Sequence, residues 1–163
     1  MERKLELKDI CGYLPNGLWC YYDTEDMSIQ ELGGFSPEYW LDKFGYEIEC
    51  IDDEIKPILR PLSDLNKPII HNGKEEVPIV ELIKIAGLVK EMETESFRFG
   101  YCAVMKGFYY HSYTMDKGCY SCFDISNQYL LFDYLHSRFI DYRGLIDAGL
   151  AVSVYDLENN PYK

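Results

Sequence analysis

The sequence predicts a single α+β domain over residues 1–163: an antiparallel sheet with a three-stranded meander at about 97–125, packed by a C-terminal helix at about 127–148 and a second helix at about 79–93. Three observations carry this. Phe97, Phe99, Tyr101, Ala103 and Met105 alternate with Arg98, Gly100, Cys102, Val104 and Lys106, which is the period of a strand. Leu131, Leu135, Phe139, Tyr142, Leu145 and Ile146 form an apolar stripe behind a capping Ser126 or Asn127, which reads as a helix. Ahead of both, Asn72-Gly73 supplies the positive φ angles of a type I′ hairpin.

Taken in order, Leu5, Leu7, Ile10 and Leu14 begin a short element that Gly12 and Pro15 punctuate, and the aromatic run at 17–23 reads as a first strand. Ser36 caps a short helix that starts at Pro37 and carries Tyr39, Trp40 and Phe44. Residues 46–55 then alternate as a strand with one wet face. The segment 55–65 looks like an extended crossing at the joint of the chain. Pro57 and Pro61 lack donors and argue against both a regular helix and a central strand, while 61–65 can close one helical turn. In the hairpin, His71 and Lys74 flank the turn and Ile70 stands opposite Glu75.

Pro78 opens the helix at 79–93, which Gly87 weakens by about 1 kcal/mol relative to alanine. The meander divides at Lys106-Gly107 and Asp116-Lys-Gly118 into strands at 97–105, 108–115 and 119–125. Gly149 suits the left-handed position that ends the last helix, with Leu150 folding back on Leu145. A final strand at 151–155 and a frayed polar tail at 158–163 complete the reading.

Composition bounds the function. With 47% hydrophobic and 15% aromatic residues, fifteen of them tyrosine, the chain is globular with a ring-rich core. A net charge of −12 opposes direct binding to nucleic acid or to an anionic membrane, both of which need clustered lysine and arginine. The first eleven residues lack the apolar core of a signal peptide, and no window reaches membrane-spanning length, so a cytoplasmic location is expected. There, Cys11, Cys20, Cys50, Cys102, Cys119 and Cys122 should be reduced thiols.

The stretches Leu5-Glu-Leu-Lys, Tyr13-Leu-Pro, Leu59-Arg-Pro-Leu-Ser-Asp-Leu65 and Gly144-Leu-Ile-Asp-Ala-Gly-Leu-Ala151 resemble a family of small proteins recurrent in Bacteroidetes genomes and prophages. That family has no established activity. The resemblance implies a mobile-element setting and no catalytic residue.

Chemistry-bearing patterns are sparse. Cys119-Tyr-Ser-Cys122, with Cys102 and His111 upstream, has zinc-ligand types, and a zinc-stabilised module or metal-dependent hydrolase using His111, Cys119 and Cys122 is one alternative. Positions three apart on a strand face opposite ways, which opposes it. His136 with Asp133 resembles a general base and its orienter, although surface pairing is the ordinary use of that spacing. Glu47, Glu49, Asp52, Asp53 and Glu54 lack the glycine-kinked spacing of a calcium loop. No nucleophile elbow, phosphate loop or dinucleotide motif occurs, so neither catalytic residues nor a cofactor are assigned.

Contact is the function expected. Arg60, Tyr109, Tyr110, Tyr113 and Tyr120 are the candidate partner-binding residues. A guanidinium between prolines can pair with a carboxylate such as Asp64 or anchor a partner's acidic group, and tyrosines on a sheet face are typical interface anchors. The partner expected is a protein. An acidic DNA-mimic inhibitor is a further alternative, and the oligomeric state is left open.

Overall fold

The computed structural model describes residues 3–22, 29–35, 40–42, 47–48, 55–94, 97–114 and 119–163. Along them run α1 (Leu7–Ile10), β1 (Trp19–Tyr22), β2 (Ile29–Phe35), β3 (Trp40–Asp42), β4 (Glu47–Ile48), β5 (Ile55–Pro61), β6 (Ile69–His71) and β7 (Lys74–Glu76). They continue through α2 (Pro78–Ile85), α3 (Val89–Met92), β8 (Arg98–Cys102), β9 (Gly107–Thr114), β10 (Cys119–Asp124), α4 (Gln128–Ser137), β11 (Ile140–Asp141) and β12 (Val152–Ser153). The architecture is α+β. Backbone contacts divide it into two compact units, one formed by Met1–Leu62 with Leu135–Lys163 and the other by Ser63–Tyr134.

The first unit is a mixed sheet in the order β11-β5-β1-β2-β3-β4, with β12 also on β5. Its axis is the proline segment. Far from standing outside the sheet, β5 pairs antiparallel with β1 and parallel with both β11 and β12. The prolines fit for a geometric reason. The peptide joining Leu18 to Trp19 gives its carbonyl to the Leu32 N–H at 2.6 Å, so its own N–H points the opposite way and donates to the Tyr162 hydroxyl at 3.1 Å. That hydroxyl donates in turn to the Ile58 carbonyl at 2.8 Å, which places the Ile58 backbone groups on the β1 side. Pro57 and Pro61 lie an odd number of positions from Ile58, so their donorless nitrogens face away. On that other side the Leu59 carbonyl accepts the Val154 N–H at 2.9 Å.

Around this strand pack Ile10, Tyr13, Leu18, Ile58, Leu59 and Phe139, all at most 2% exposed. Burial of that many apolar side chains, each contributing about 1.5–3 kcal/mol, is the main favourable term in the unit. The tail does not fray. Tyr162 is 3% exposed and stacks on Phe139 with ring centroids 3.9 Å apart and planes 10° apart.

The last helix is shorter than its stripe predicts. It stops at Ser137 because Phe139 takes a left-handed φ of 57°, after which 140–141 run extended beside β5 and the Phe139 carbonyl accepts the Arg60 N–H at 2.7 Å. A left-handed conformation costs a non-glycine residue about 1–2 kcal/mol, which burial of the ring offsets. The stop at Gly149 survives without the helix: its φ is 71°, and the Leu150 and Ala151 N–H groups both reach the Leu145 carbonyl, closing a turn. Only 152–153 of the expected final strand pair, and they do so parallel to β5. Trp40–Asp42, expected in a helix, pair with β2 as a strand, and the rest of that expected helix lies outside the described residues.

In the second unit local signals hold. His71 pairs with Lys74 and Ile70 with Glu75 across Asn72 (φ 49°) and Gly73 (φ 74°). The expected 79–93 helix divides into α2 and α3 at Gly87, whose φ of 77° breaks the helical path. The expected meander forms, in the order β10-β9-β8, but its first strand ends at Cys102, and 103–105, expected to continue it, belong to the turn, which Lys106 closes with a φ of 52°. Gln128 ties it to the start of α4 by accepting the Phe108 N–H at 2.8 Å and donating to the Phe108 carbonyl at 2.6 Å.

Candidate functional site

The register of the meander sorts its side chains. Arg98, His111 and Cys122 stand in one row across the three strands, Phe99, Tyr110 and Phe123 in the next, and Gly100, Tyr109 and Asp124 in the one after. Successive rows face opposite ways. The face with Phe99, Tyr101, Phe108, Tyr110 and Phe123 holds the core of the unit. Phe132 of α4 lies over one half of it, 6.3 Å from Tyr101 and 5.8 Å from Phe108, which is 1% exposed.

The other half of that face is more open. Tyr110 and Phe123 stack with centroids 5.0 Å apart and planes at 20°, Phe97 lies 6.1 Å behind Tyr110, and Phe123 is 37% exposed. This is a stepped aromatic shelf that ends at β10, an edge strand of the meander. Phe123 escaped the sequence reading, which singled out tyrosines. The signal that finds it is cross-strand pairing with Tyr110, and that requires the register.

The opposite face carries Arg98, Tyr109, His111, Cys122 and Asp124 and is more polar. Tyr109 is half-buried because its ring lies across Gly100, where an added Cβ would sit 3.5 Å from the phenol oxygen, and it meets His111 edge-on at 5.1 Å. Covering a glycine across a strand pair is a structural duty. Tyr113 and Tyr120 are paired in register, and their side chains lie outside the described residues. Arg60 belongs to the first unit. It is 2% exposed, with its Cζ 6.0 Å from the Tyr162 ring centroid, so its place is in the core of that unit.

Cys122 stands opposite His111, whereas Cys119 stands opposite Thr114, at a position of the other parity. Among the described residues no three His, Cys, Asp or Glu side chains gather as metal ligands would. Of the acidic series, Glu49, Asp52, Asp53 and Glu54 lie outside the described residues. His71 flanks its hairpin turn, 3.4 Å from the Asn72 amide.

A second set of polar groups converges in the first unit. Asp133, its expected orienter, is exposed, and His136 Nε2 lies 2.9 Å from the Tyr142 hydroxyl, which accepts from Arg143 Nε at 3.1 Å. Burial pushes the Tyr142 phenol above its ordinary pKa, against the opposing pull of the neighbouring guanidinium. The imidazole meets Tyr13 edge-on at 4.8 Å and lies against Gly12, where any Cβ would overlap the ring. Asp141 holds the following turn with both oxygens, accepting the Arg143 and Ile146 N–H groups. The His136, Tyr142 and Asp141 groups are thus hydrogen-bonded within the unit.

No helix among the described residues is long and apolar enough to cross a membrane. No family model matches the chain, and no curated protein or solved structure matches it at a significant level.

Proposed function

We propose that this chain is a noncatalytic protein-binding accessory protein of phage or mobile-element origin, acting in the cytoplasm on a protein partner. The observation that carries the reading is the aromatic shelf: Tyr110 of the central strand β9 and Phe123 of the edge strand β10 are stacked at 5.0 Å, with Phe123 left 37% exposed. Rings of this kind supply large contact area at small conformational cost, which is why interfaces use them as anchors. The net charge of −12 favours a partner with a basic surface and disfavours a direct hold on nucleic acid. The mobile-element setting rests on the sequence resemblance alone.

The full chain immobilised in lysate of its native host should retain one stoichiometric protein, less of it as salt rises, and Phe123→Ser should release it. Retention unaffected by Phe123→Ser together with Tyr110→Ser would remove this surface from the reading. Stoichiometric metal in the purified chain, with melting that shifts on adding chelator, would replace it by the metal-dependent alternative.

A further inference from the structure

Edge strands in folded proteins are ordinarily guarded by proline, lysine, a bulge or a covering element, because an open ladder recruits other strands. β10 carries none of the first three. Cys119-Tyr-Ser-Cys-Phe-Asp124 contains neither proline nor lysine, and its six residues pair with β9 in continuous register, whereas β2 and β3 shift register between Leu32 and Gly34. The opposite edge, β8, opens on the exposed Arg98 and packs beside α2. Among the described residues no strand lies beyond β10, and Cys122, Phe123 and Asp124 are exposed in succession.

Resting on the protein-binding reading, we infer that β10 receives an extended segment of the partner as a fourth strand of the meander, and that this segment alternates apolar residues with lysine or arginine. The two faces of the sheet set the alternation. On one, the shelf of Tyr110 and Phe123 borders the added strand and takes apolar side chains. On the other, Asp124 is exposed at the same edge, within a chain of net charge −12, and favours cations. Main-chain hydrogen bonds supply the hold and alternate side chains the selectivity, as in strand addition generally. The same charge opposes a second copy of this chain in that place, since two chains of −12 repel.

The test uses the full ¹⁵N-labelled chain and two probes: a six-residue peptide alternating lysine with valine, and the same peptide methylated at every backbone nitrogen. The unmethylated peptide should slow hydrogen exchange at alternate amides of 119–124 at least tenfold and leave the hairpin at 69–76 unchanged. The methylated peptide, of equal charge, should have no effect there. Phe123→Lys, which adds a guarding charge, should abolish the protection while the Phe108 amide exchanges as before, reporting an intact core. Equal effects of the two peptides, no slowing at millimolar peptide, or a concentration-dependent doubling of mass that protects 119–124 in the absence of peptide would each overturn the inference. A native protein partner that still binds Phe123→Lys would overturn strand addition and leave the protein-binding reading standing; failure of the unaltered chain to bind any partner would remove that reading itself.

Discussion

The sheet around β5 and the meander of β8 to β10 are both rich in rings, yet contacts of opposite range hold them. In the meander, β9 and β10 join through Thr114 and Cys119, five positions apart. In the other unit, the Tyr162 hydroxyl reaches Ile58 across 104 positions, and the Tyr13 hydroxyl donates to the Ile140 carbonyl across 127. A hairpin closes cheaply and can form early, whereas pairings that bring distant segments together form only after a large loop-closure cost has been met. The first unit should therefore respond as a whole to changes in its late-arriving segment, and the second should respond locally.

The largest expected effect is at Tyr162. Tyr162→Ala removes a ring stacked on Phe139 together with the hydroxyl that bridges Trp19 and Ile58, and should cost about 3–5 kcal/mol in denaturant unfolding. Loss of exchange protection confined to 158–163, with the β1 and β5 amides unmoved, would break the comparison. Tyr162→Phe keeps the stack and should cost about 1–3 kcal/mol, because a buried donor and a buried acceptor lose their partner.

The same residue makes the first unit sensitive to alkali. Burial raises the Tyr162 phenol well above its ordinary value of 10.0, against smaller opposing contributions from its bond with the Trp19 N–H and from Arg60. A folded pKa above the unfolded one means that the contribution is fully present below pH 10 and is lost as pH rises through the folded value. Stability above pH 10 should thus fall less steeply in Tyr162→Phe than in the unaltered chain, as unfolding titrations over that range would read.

Gly12→Ala should cost about 1–3 kcal/mol, since its Cβ would overlap the His136 ring, and the penalty should shrink when His136→Ala is also present. A full penalty in the double variant would place its cause elsewhere. Smaller still, Gly73→Ala forces a left-handed alanine with open space around it and should cost about 1 kcal/mol, with faster exchange at 69–76 and none at β5. At the lower limit, Val104→Ser at a 92% exposed turn position should stay within about 0.5 kcal/mol.

Half of the candidate site could be read in advance. Tyr109 and Tyr110 belong to a strand that period-two alternation announces, and opposite parity for Cys119 and Cys122 follows from the same rule. Sequence alone does not show that Tyr109 spends its ring covering Gly100 while Tyr110 faces the shelf, because that depends on which residue stands across the ladder. Arg60, singled out because prolines flank it, proves to be buried beside Tyr162, a residue placed in a tail with no apolar pattern of its own.

What the chain dictated by itself was whatever rests on neighbours in sequence: the Asn72-Gly73 hairpin, the three strands of the meander and the left-handed closure at Gly149. Tertiary structure decided the rest. It made a strand with two prolines the axis of a sheet, because only distant partners determine which of its edges need donors. It also ended α4 at Phe139, where burial against Tyr162 and a bond to Arg60 outweigh the local preference of a continuing apolar stripe.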